Sequence, residues 1–127
     1  MSELRANTIS DAAGTGPVTL TKQSAAKAWV HFDGNPTVVS RSSFNVSGLT
    51  DNGTGDYTIS FTSSMSSGDD YSLTGCAGQN TTSLRCVCQN RSFAAPAAGS
   101  VRVQIARADG DLQDAEAVYG AIHGDLA

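Results

Sequence analysis

Three cysteines, two histidines and two acidic, glycine-rich loops are where this 127-residue sequence could carry chemistry. Cys76, Cys86 and Cys88 make an odd number, and the N-terminus "MSELRANTIS" lacks an apolar signal core. That combination predicts reduced thiols made in a cytoplasm, not a disulfide framework. On a strand, Cys86 and Cys88 share one face. The first reading for all three is small buried hydrophobes. A Cys76–Cys86 bridge formed after release from the cell ranks second. Zinc ranks last, since no C-x-x-C pair or nearby histidine supplies a fourth ligand.

The stretch "DNGTGDYTISF", Asp51 to Phe61, sets two acidic residues and two glycines before an apolar/polar alternation. A calcium loop needs about six oxygen ligands at defined spacing, and Asp51, Asn52 and Asp56 do not fit it. They do fit a turn, where Asn and Asp bond their own backbone and glycine takes positive φ. "DGDLQDAE" reads the same way, because Gly120 stands where an EF-hand starting at Asp109 needs glutamate.

No G-x-S-x-G or phosphate-loop spacing occurs. His31 and His123 sit in strand-like contexts without a diagnostic neighbour, so they read as half-buried structural residues, although they could meet in space. Asn-x-Ser/Thr triplets start at Asn45, Asn52, Asn80 and Asn90, as chance allows in a Ser/Thr-rich chain. The expectation is a non-enzyme with no catalytic residue, metal or cofactor. Trp29, Tyr57, Tyr71 and Tyr119 are of the kind that stack on sugar rings, but with eight aromatics in all most are needed for a core. Trp29 shares a face with Lys27 and His31, which makes Trp29 and His31 candidates for a subunit-contact or glycan-facing surface.

The elements that must position these residues read as strands. In "KAWVHF", Ala28, Val30 and Phe32 point one way and Lys27, Trp29 and His31 the other. "DGNP" is a turn. "TVVS" and "SFNVSGL" follow, the latter with Phe44 and Val46 on one face. Tyr57, Ile59 and Phe61 alternate with polar residues, "SSMSSGDD" is a loop, and "YSLTGCAG", "TTSLRCVC", "SVRVQIARA" and "AVYGAIHG" complete the set. In "SVRVQIARA", Val101, Val103 and Ile105 share a face. "QDAEAVYGAI" could instead be a short helix. Turns recur about every ten residues, the rhythm of a sandwich or barrel. Residues 1–24 hold only isolated apolar positions, Leu4, Ile9, Val18 and Leu20, too few to fold alone. A net charge of −4 and a pI near 4.8, with scattered Lys and Arg, exclude a nucleic-acid or anionic-membrane binder. The run "FAAPAA" is far too short to span a bilayer.

The strings "KAWVHF", "SFNVS" and "TDNGTGDYT" closely resemble a module of bacteriophage tail-fibre and related virion proteins. Lys27 to Val30 with Phe32, Ser43 to Ser47, and Thr50 to Thr58 with Phe61 carry the match. The leader and the end, "SVRVQIARADGDLQDAEAVYGAIHGD", are also similar; residues 66–98, with the three cysteines, correspond least. The resemblance implies a non-enzymatic virion structural protein, made in the host cytoplasm and associating as a homotrimer. The fold expected is all-β, a small antiparallel β-sandwich or jelly-roll-like domain over 25–127, preceded by an extended N-terminal arm over 1–24. Leu4 and Ile9 would anchor the arm on another virion protein. Because the chain opens almost directly with the module, the expectation is a short spike, fibre tip or decoration. Tail-fibre or spike-type assembly, with host-surface glycan as a further partner, is the leading function; a capsid decoration protein is the alternative.

Overall fold

The computed structural model describes residues 25–127 apart from Thr82 and Phe93. The expected arm, with Leu4 and Ile9, lies outside the described residues. Among the described residues eight strands form: β1 (Ala28–Asp33), β2 (Val39–Phe44), β3 (Val46–Gly53), β4 (Asp56–Phe61), β5 (Tyr71–Gly78), β6 (Cys86–Cys88), β7 (Ser100–Ala106) and β8 (Ala117–Gly124). They make two four-stranded sheets, ordered β2-β1-β8-β5 (sheet A) and β3-β4-β7-β6 (sheet B), and every strand pairing is antiparallel. This is the expected sandwich. The hairpins β1–β2 and β3–β4 each stay within one sheet, unlike the strand-by-strand alternation of a jelly roll.

The core lies between the inner strands, and alternation decides its membership. Ala28, Val30 and Phe32 of β1 and Val118 and Ile122 of β8 meet Tyr57, Ile59 and Phe61 of β4 and Val101, Val103 and Ile105 of β7. Phe32 meets Tyr57 edge-on at 5.1 Å, a favoured aromatic geometry. The segment allowed as a helix, "QDAEAVYGAI", ends in strand β8. Gly120 lies against Val30 and Ile59 there, and Val118 and Ile122 face the core at period two, which outweighs alanine's helical preference.

Two local expectations are corrected. Phe44 and Val46 do not share a face, because Asn45 between them takes φ 54° and turns the chain from sheet A into sheet B. Its amide donates to Lys27 O and Ser63 O, both at 3.0 Å, and its Oδ1 accepts from Ser63 N at 2.6 Å. Asparagine is among the few residues that tolerate this backbone region. Phe44 is left 54% exposed, while Val46 packs on the core. The loop "SSMSSGDD" also holds a core residue: Met65 is fully buried, and its N–H donates to Ala98 O at 2.9 Å.

Candidate functional site

The glycine-rich stretch is a turn with structural anchors. Asp51 Oδ1 accepts from Gly53 N at 2.9 Å, the local bond expected of a turn aspartate. Gly55 has φ 63°, and a Cβ there would lie 2.6 Å from Ile105 O and 2.7 Å from Gln113 N, so only glycine fits. Asp56, buried on the outer side of sheet B, receives Arg102 Nε at 2.7 Å and Nη2 at 2.8 Å, with Gln104 Nε2 at 3.2 Å. Arg102 first, then Gln104 and Asn52, hold its carboxyl below the usual range against the opposing pull of burial.

The Tyr57 hydroxyl donates toward Asp114 Oδ1 at 2.7 Å and lies 3.1 Å from Gly34 O, and Asp114 Oδ1 also accepts Gly55 N–H at 2.7 Å. Burial, then the Asp114 carboxylate, pushes the phenol well above its ordinary pKa. Gly34 has no room for a side chain, since a Cβ would stand 2.5 Å from that hydroxyl. One short string thus ties β4 to the 34–36 turn, to the 107–116 loop and across to β7. Among the described residues no group of three or more His, Cys, Asp or Glu could hold a metal ion.

Trp29 and His31 lie where expected, on the outer face of sheet A. The register extends that face into two rows: Phe44–Trp29–Ala121–Thr74 and Ser42–His31–Tyr119–Cys76. His31 stacks on Tyr119 with ring centroids 4.3 Å apart and planes 20° apart. Trp29 is 40% and Tyr119 44% exposed. An open groove of about 600 Å³ runs between Trp29, His31, Tyr119, Thr74 and Cys76. Tyr57, by contrast, is core, and Tyr71 is half-buried with its hydroxyl 3.2 Å from Ala97 O and Ser100 O.

His31 and His123 are both half-buried, as expected, and they do not meet: His31 pairs with Tyr119, and His123 lies four positions farther along β8 beside Ser72, roughly 13 Å away. The expectation for the thiols changes. The cysteines are not buried hydrophobes; Cys76, Cys86 and Cys88 are all exposed and free. They sit on the outer sides of edge strands, where alternation directs them away from the core. Phe44 was missed as a member of the aromatic face; the available signal was Asn45, whose type suits a corner that breaks the alternation. Comparison with family models, curated proteins and solved structures returned no match to this chain.

Proposed function

We propose that this chain is a non-enzymatic structural component of a bacteriophage particle, of the short tail-fibre or spike kind, that works through contacts between copies and with neighbouring virion proteins. The observation that carries the reading is the outer face of sheet A. Phe44, Trp29, His31 and Tyr119 form one aromatic surface on a small domain whose buried core is drawn mainly from four inner strands. Burying such a surface in a trimer contributes about 25 cal/mol per Å², which a thin sandwich has most need of.

The resemblance of "KAWVHF", "SFNVS" and "TDNGTGDYT" to fibre modules supplies the particle context. The internal bonding of Asn45, Asp56 and Tyr57 supports it, because these shared residues are occupied with holding strands together. The test is localisation: antibody labelling of purified particles, viewed by electron microscopy, is expected to mark the tail at low copy number. Dense labelling over the capsid would replace the fibre reading with a decoration protein. Absence from particles would remove both.

A further inference from the structure

The seam where the edge of sheet A meets the edge of sheet B places two of the thiols opposite each other. Ala77 of β5 bridges Arg85, antiparallel, just before β6. Two residues away in the same register, a Cβ on Gly75 would stand 3.4 Å from Val87 Cβ. Cys76 and Cys86 are the pair between these two contacts. Val87 packs against the core, so its neighbour Cys86 points outward by strand alternation; Cys76 lies on the outer face beside Tyr119. Directly opposed antiparallel residues have Cα atoms about 4.5–5.5 Å apart, inside the range of about 4.4–6.8 Å that a disulfide spans.

We propose that Cys76 and Cys86 form an intramolecular disulfide that staples β5 to β6 and closes this seam when the protein meets a disulfide oxidant such as oxidised glutathione. One protein thiol deprotonates and attacks the glutathione disulfide, releasing one glutathione thiolate and leaving a mixed disulfide. The second protein thiolate then displaces the other glutathione. Two protein thiols and one glutathione disulfide thus become one protein disulfide and two glutathione thiols.

Cys88 is the thiol left over. Its Sγ donates to Gln104 O at 3.3 Å, and burial, then the neighbouring Cys86, raises its pKa. Cys86 and Cys88, two apart on one strand, have Cα atoms roughly 6.5–7 Å apart, at the outer limit for a bridge. The Cys76–Cys86 bridge follows from register alone and does not depend on a particle role.

The experiment incubates the full-length reduced protein with oxidised glutathione and counts thiols. The count is expected to fall from three to one, with the tryptic peptide 42–85 joined to 86–91. In the Cys88→Ser variant, oxidation should leave no free thiol and the same joined peptides. The oxidised protein should melt on the order of 10 °C higher than the reduced one, a rise absent in Cys86→Ser. Unchanged thiol counts, glutathione adducts that persist, a bridge inside 86–91, or links between chains would each overturn the proposal.

Discussion

Replacing Asp56 by asparagine keeps the side chain's shape but removes its charge and gives one of its two accepting positions an N–H donor. In the folded protein both carboxylate oxygens are engaged: Oδ1 by Arg102 Nε at 2.7 Å, and Oδ2 by Arg102 Nη2 at 2.8 Å and Gln104 Nε2 at 3.2 Å. The asparagine NH2 must face one of these donors, so at least one charge-assisted bond is lost while Asp56's position stays 6% exposed. Such a bond contributes about 1.5–3 kcal/mol, and water cannot easily replace it here. Asp56→Asn should therefore lower unfolding stability by about 2–3 kcal/mol in urea titrations followed by circular dichroism. The pH dependence supplies a second check. Because the folded-state pKa is depressed, the contribution is present above the unfolded value of about 3.9 and is lost as pH falls through the folded one. The gap between wild type and variant should accordingly narrow below about pH 4. A gap under about 0.5 kcal/mol at neutral pH, the range of an ordinary surface change, would refute the view that this string is structural.

Three further substitutions probe the same scaffold. Tyr57→Phe keeps the buried ring but removes the hydroxyl bonded to Asp114, and should cost about 1–2 kcal/mol in the same urea assay. Gly55→Ala forces a side chain into φ 63° and against Ile105 O and Gln113 N, so a loss above about 2 kcal/mol is expected; Gly48→Ala, where nothing lies within 4 Å of the new carbon, should stay within about 0.5 kcal/mol. Met65→Ala empties a fully buried loop position and should cost about 2–5 kcal/mol, read as a lowered melting temperature.

The inner strands were legible because their burial has period two. Ala28, Val30 and Phe32, like Val101, Val103 and Ile105, carry that pattern in the residues themselves, and so does the outward placing of Trp29 and His31. What escaped depended on the third dimension. Asn45 changes sheets through one backbone angle, which shifted the boundary of "TVVS" and "SFNVSGL" to a single strand β2 followed by β3 and separated Phe44 from Val46. Met65 sits among serines, and its burial comes from strands distant in sequence. The cysteines looked apolar by type, but β5 and β6 are edge strands whose outer positions meet solvent. The ties from Asp56 to Arg102 and from Tyr57 to Asp114 span 46 and 57 residues, separations that no local spacing signals.

The central claim is that the aromatic outer face of sheet A is the surface through which copies of this chain associate. Sedimentation velocity at micromolar concentration, comparing wild type with the Trp29→Ser/Tyr119→Ser double variant, tests it most directly. A trimeric wild type and a monomeric variant with an unchanged far-ultraviolet spectrum are predicted. A monomeric wild type, or a variant that remains as fully associated as wild type, would contradict it.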